Sequence, residues 1–164
     1  MRIALDRRGY YSVRAMLVLA RAFGDGRRKA REIAKTMDIP GRYLPQIMAP
    51  LVRQHLVLAT AGPDGGYELA RPPASITLLE VIEAAEGPLI RDRCLLRGGP
   101  GDWKHVCPVH DVWAQAHDAL GHRLRVTTFQ ELADNDRLIE QGKLELPTEP
   151  LHPVSVPRLG EREP

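Results

Sequence analysis

The six residues Ala61-Gly62-Pro63-Asp64-Gly65-Gly66 interrupt an otherwise periodic chain. No helix survives three glycines and a proline in so short a stretch. Glycine loses the most backbone freedom on ordering, and proline has no N–H to donate. The β-prone run Leu56 to Thr60 stands on one side and Tyr67-Glu68-Leu69 on the other. Two short runs across a Gly/Pro turn read as a β-hairpin. Whatever precedes and follows must pack around that hairpin.

Upstream, the period is helical. From Gly9 to Phe23, the residues Ser12, Met16, Leu19, Ala20 and Phe23 share one stripe, widened by Val13 and Leu17. This predicts a buried helix, ended by Gly24-Asp25-Gly26. A second helix is predicted over Arg28 to Met37, where Ala30, Ile33, Ala34 and Met37 recur at i, i+3, i+4 and i+7. Asp38-Ile39-Pro40-Gly41 reads as a turn. The third helix is predicted over Gly41 to Gln54, with Leu44, Ile47, Met48 and Leu51 inward. Arg42, Gln46, Ala49 and Arg53 lie opposite. Pro50 sits inside it, so a kink or early ending is expected near Gln46 to Pro50. Pro45 falls within the first turn and is tolerated. Two short helices across a tight turn, the second presenting Arg and Gln, form a helix-turn-helix pattern, and a hairpin directly after it is a wing.

Downstream, Thr77-Leu78-Leu79-Glu80 is a capping box opening a helix through Ala85, stopped by Gly87-Pro88. A loop rich in Gly, Arg and Asp runs from Ile90 to Val106. Pro108 suits the first turn of a longer helix striped by Val109, Val112, Trp113, Ala116, Ala119, Leu120 and Leu124. That stripe is either a dimer seam, with Trp113 as its anchor, or a face packed within one chain. His117 and His122 read as surface or interface residues. Thr128-Phe129-Gln130-Glu131 opens a last short helix. Five prolines in the 18 residues from Pro147 to Pro164 predict an irregular tail. The expected fold is mainly α: a winged helix-turn-helix region over 1–75, a loop and further helices over 76–135, and a proline-rich tail over 136–164.

The net charge of +2 conceals a division. Met1 to Ser75 holds 13 Lys and Arg against 6 Asp and Glu, or +7; the remainder holds 10 against 15, or −5. A basic half joined to an acidic one suits a nucleic-acid module attached to something else. Gln46, at the start of the third helix, can pair with an adenine edge, and Arg42 with guanine or a phosphate. Tyr43 suits a phosphate contact or local packing. Arg31, Lys35 and Arg53 are candidates for the DNA backbone. Gly65 and Gly66 let the wing backbone approach a phosphate. No apolar run reaches the roughly 18 residues of a membrane span, so a cytoplasmic protein is expected. No nucleophile–base pattern or phosphate-cradling loop suggests an enzyme.

These elements in this order resemble the winged-helix regulators of the Rrf-two family. The residues that carry the resemblance are Met1-Arg2-Ile3 with Tyr11 and Arg14-Ala15-Met16; Ile39-Pro40 with Tyr43-Leu44 and Gln46; Gly62-Pro63-Asp64-Gly65-Gly66-Tyr67; Ile76-Thr77-Leu78-Leu79-Glu80-Val81-Ile82; and Cys94 followed by Cys107-Pro108-Val109-His110. The resemblance covers roughly Met1 to Asp134 and implies a homodimeric DNA-binding regulator, a repressor by the leading reading, with a sensing loop and dimerisation helices over 76–135. Several relatives carry a basic residue where this chain has Ala61.

Cluster-binding relatives place three cysteines in the loop. Here Cys94 matches the first and Cys107 the last, while the middle position falls on Gly101. His110 matches a histidine ligand. The resemblance thus implies an iron–sulfur cluster, of the 2Fe-2S type, on Cys94, Cys107 and His110, and redox or nitric-oxide sensing through it. A Cys and a His three apart at a helix start also make a two-ligand arm on chemical grounds, since the helix dipole favours the thiolate. A fourth ligand would come from His105, Asp102, Asp6 or the partner subunit. In some relatives an N-terminal acid supplies it; the matching position here is Tyr10. Zinc, a disulfide between Cys94 and Cys107, and a cluster-free protein remain open alternatives. So do a regulator answering to a metabolite or partner protein, and a winged-helix protein-interaction module.

Overall fold

The computed structural model describes residues 5–89 and 109–144. Six helices and a two-stranded sheet follow in the order α1 (Arg7–Arg21), α2 (Ala30–Thr36), α3 (Leu44–Arg53), β1 (Val57–Thr60), β2 (Gly66–Leu69), α4 (Leu78–Glu86), α5 (His110–Val126) and α6 (Phe129–Glu140). A single 3-10 turn, Pro73–Ser75, links β2 to α4.

Helix α1 is the centre of the core. Ala15 and Met16 are wholly buried, and Leu19 and Ala20 nearly so. Around it pack α2, α3, α4, α6 and β2. Its stripe ends sooner than its pattern predicted. The helix stops at Arg21, so Phe23 falls in the following turn and is exposed.

The second helix begins two residues later than predicted, at Ala30. The reason is non-local. Arg28 exchanges two backbone hydrogen bonds with Tyr67 of β2, at 2.8 and 2.9 Å, and so is bridged antiparallel to the hairpin at a single residue.

The early ending expected as one outcome near Pro50 does not occur: α3 runs on to Arg53 with Pro50 inside it. A proline in a helix interior costs about 3 kcal/mol. Leu44, Ile47, Met48 and Leu51 are all buried to within 1%. Each such side chain returns about 1.5–3 kcal/mol on burial. Pro50 is itself buried, so its ring adds to the same core. The Pro50 carbonyl still accepts from the N–H of Gln54 at 3.0 Å, which closes the last turn.

The starts of α4 and α6 are stitched together. Thr77 and Glu80 form a reciprocal capping box on α4, and the Thr128 hydroxyl accepts from the Glu131 N–H on α6. Between them, the Leu78 N–H donates to the Thr127 carbonyl and the Phe129 N–H to the Ile76 carbonyl, both at 2.9 Å. Phe129 is fully buried there. At the other end of α6, Arg21 of α1 reaches Asp136 at 2.7 Å and Glu140 at 2.6 Å, while Arg137 donates to the Arg21 carbonyl. Helix α5 is different. Its sole buried residue is Gly121, which lies against Leu89 just beyond α4.

Candidate nucleic-acid interface

Helix α3 has two unlike sides. Leu44, Ile47, Met48 and Leu51 are sealed in the core, whereas Gln46, Ala49 and Arg53 are exposed. The helix starts at Leu44, later than its pattern predicted, so Arg42 and Tyr43 stand in the turn before it and Gln46 in its first turn. That turn is held by the Tyr43 N–H on the Pro40 carbonyl at 2.8 Å.

Tyr43 is half-buried and packs locally. Its ring lies 6.0 Å from that of Tyr11, and the Arg42 guanidinium sits 5.4 Å above its centre. Tyr11 in turn meets Tyr10, whose hydroxyl accepts from Arg14. A ladder of rings and guanidinium groups thus joins α1 to the start of α3. Helical periodicity could not reveal it, because Tyr11 and Tyr43 belong to different elements.

Six of the thirteen described arginines are already engaged. Arg21, Arg27, Arg28, Arg71, Arg123 and Arg137 all pair with carboxylates. Arg31, Lys35, Arg42 and Arg53 are exposed and enter no ion pair with any described residue. Arg42 precedes α3, Arg53 ends it, and Arg31 and Lys35 stand on α2; cations without a carboxylate partner attract anions.

In the wing, Val57 pairs with Leu69 and Thr60 with Gly66. A Cβ at Gly65 would lie 2.1 Å from the Thr60 carbonyl oxygen, and one at Gly66 would lie 2.6 Å from that of Arg28. The wing's own closure therefore demands glycine at both positions. The hairpin is braced from outside by Arg27 on Glu68 at 3.0 Å and by the Lys29 ammonium on the Pro63 carbonyl. Sequence reasoning missed this brace. Its one signal was the uninterrupted run Arg27-Arg28-Lys29.

Of the sensing residues, Cys94 and Cys107 lie outside the described residues, as do Asp102 and His105. His110 opens α5 and is exposed, and Asp6 precedes α1 without a side-chain cap hydrogen bond and donates its N–H to the Glu86 carboxylate at 2.7 Å. Among the described residues, no three His, Cys, Asp or Glu side chains gather as a metal site. The donor set itself, two thiolates and an imidazole, has the ligand types of a mixed Cys/His two-iron cluster and falls one short of its four positions.

A helix-turn-helix with a free polar face on its second helix, followed by a braced hairpin, defines a winged-helix DNA-binding regulator of transcription. Comparison with known proteins makes this specific. Residues 5–135 match the Rrf2 family model, described as an iron-dependent transcriptional regulator. The chain is 33% identical over 138 residues to the HTH-type transcriptional regulator IscR of Escherichia coli, covering 83% of each protein. It is 30% identical over 129 residues to the HTH-type transcriptional regulator CymR of Bacillus subtilis, covering 79% of this chain and 88% of that one. Its fold matches the solved structure of CymR, the global cysteine regulator of B. subtilis, with a TM-score of 0.71 at 28% identity, covering 81% of this chain and 98% of that one. It also matches that of T. potens IscR, with a TM-score of 0.67 at 26% identity over 88% and 94%. The chain belongs to the Rrf2 family of transcriptional regulators. Its relatives are regulators, not enzymes, and no described helix is long and apolar enough to cross a membrane.

Proposed function

We propose that the chain is a cytoplasmic, homodimeric repressor that reads double-stranded DNA with α3 and answers to redox, nitric-oxide or iron–sulfur status through Cys94, Cys107 and His110. The observation that carries this reading is the two-sidedness of α3, whose core face is sealed while Gln46 and the unpaired cations stand in solvent. Gln46 takes a base edge, and Arg42 a guanine or a phosphate. Arg31, Lys35 and Arg53 hold phosphates, and the Tyr43 ring, lying beneath the Arg42 guanidinium, positions it. Gly65 and Gly66 keep the wing backbone close enough to meet the duplex.

Residues 1–75 form the reading head, 76–135 the sensing and dimerising part, and 136–164 a tail. The exposure of Val112, at 67%, supports a partner subunit along α5. The sensing loop lies between α4 and α5. A change in its ligation alters how α5 leaves α4, and with it the spacing of the two heads. Half-sites about one helical turn apart match such a dimer. The three donors, with a fourth from Asp6, Asp102, His105 or the partner subunit, would hold a 2Fe-2S cluster. When bound, that cluster supplies a centre reactive toward oxidants and nitric oxide.

The test is an absorption spectrum with iron and sulfide analysis on anaerobically prepared protein, beside a salt titration of DNA binding. Cluster bands with stoichiometric iron, and binding that changes when the cluster is lost, are the expected results. No salt-dependent binding in any redox state would overturn the DNA reading. A second reading, a cluster-free regulator of a metabolite or partner protein, is favoured by Gly101 at the place of the middle cysteine and by the likeness to CymR. Colourless, iron-free protein that still binds DNA would decide for it.

A further inference from the structure

The wing carries the wrong charge for its task. Between Val57 and Leu69 there is no Lys, Arg or His, but there are Asp64 and Glu68. A hairpin with two acids and no base should be repelled by phosphates. Its cations come from elsewhere in the chain. Arg27 neutralises Glu68 at 3.0 Å. Arg28 is fastened to Tyr67 through its backbone, which brings the next residue alongside the hairpin loop. Lys29 then reaches the loop itself, its ammonium donating to the Pro63 carbonyl across 34 positions of sequence.

We infer that Lys29 is the wing's phosphate-binding cation, delivered to the hairpin from the start of α2. An ammonium has three donors. One is spent on Pro63 and the others face solvent, because Lys29 is exposed. Arg28 is already paired with Asp25 at 3.6 Å, so Arg27 and Lys29 are the cations set against Asp64 and Glu68, and the wing with its strut changes from −2 to neutral. The contact to Pro63 holds the ammonium beside the loop, so less freedom is lost when a phosphodiester oxygen docks there.

This inference rests on the DNA reading above, and one titration series separates the two. The probe is a fluorescent mixed-sequence duplex, titrated with full-length protein between about 50 and 200 mM salt. Lys29→Met keeps the aliphatic stem and removes the charge. It should lower the slope of log affinity against log salt by about 0.9 for each head engaged, the value of one lost phosphate contact. Lys29→Arg should preserve the slope. Ala61→Lys, placed in the Lys29→Met background, should restore it, because Ala61 is exposed on the same loop. An unchanged slope in Lys29→Met overturns the inference. A slope that falls and is not restored by Ala61→Lys overturns the placement on the wing. Wild-type protein that shows no salt-dependent binding overturns the DNA reading instead.

Discussion

Ser12 lies wholly buried in α1, and its hydroxyl finds no hydrogen-bond partner. A buried unsatisfied hydroxyl costs stability, so Ser12→Ala should leave the fold intact and raise its unfolding free energy by about 1 kcal/mol. Urea denaturation would show it as a higher midpoint with an unchanged slope. Thr77 is the opposite case. Its hydroxyl accepts the Glu80 N–H at 3.2 Å, and the Glu80 carboxylate accepts the Thr77 N–H at 2.8 Å. Thr77→Ala should cost about 0.5–2 kcal/mol in the same measurement. At the proposed DNA surface, Gln46→Ala should relax sequence preference by about 1–3 kcal/mol at one base position. Selection from a randomised duplex library, before and after the change, would read that loss. A preference identical in both proteins would remove Gln46 from the base-reading role.

The helices carry their own pH dependence. Hydrogen bonding to Arg21 holds the Glu140 carboxyl below its ordinary value, and the same contact raises the Arg21 guanidinium. Burial pushes Glu80 upward, but the Thr77 N–H, Arg71 and the Thr77 hydroxyl outweigh it, and the net shift is downward. Both carboxyls therefore bind a proton more weakly folded than unfolded. Their stabilisation is present above the unfolded value of about 4.3 and is lost as pH falls through the lower folded values. Melting temperature should fall as pH drops from about 5 toward 3. Glu140→Gln should flatten part of that decline, because its clamp on α1 no longer titrates. A variant with the full wild-type decline would remove the clamp from the account. Helix α3 shows the same competition between local and tertiary terms. Its proline favoured an early ending, and with four sealed apolar side chains the helix continues to Arg53.

At the scale of the molecule, α5 is the helix that the rest of the described chain buries least. Seventeen residues long, it buries Gly121 and rests on α4, while Val112 and Val126 stand in solvent. Trp113 meets the His117 ring at 5.0 Å, edge to face. If α5 forms the seam between subunits, Val112→Arg should place a charge in it and shift the protein to monomer. Sedimentation velocity at micromolar concentration would detect the change. Such a variant should also lose most of its affinity for a two-half-site duplex, since linked heads bind far more tightly than single ones. A Val112→Arg protein that remains dimeric would move the seam elsewhere.

Much of this architecture was legible in residue order. The stripes of α1, α2 and α3, the hairpin at Gly62 to Gly66 and the capping box at Thr77 are local signals, each read within a few residues. They sufficed for a winged helix-turn-helix and for the outward face bearing Gln46. Tertiary structure alone decided where α2 begins, why α3 survives Pro50, and how Tyr11 meets Tyr43. It alone revealed that the wing takes its positive charge from Arg27 and Lys29. Each of these depends on a contact between residues far apart in sequence. Periodicity reports which side of an element is apolar, but the partner on that side, and the charge it brings, exist only once the chain has closed.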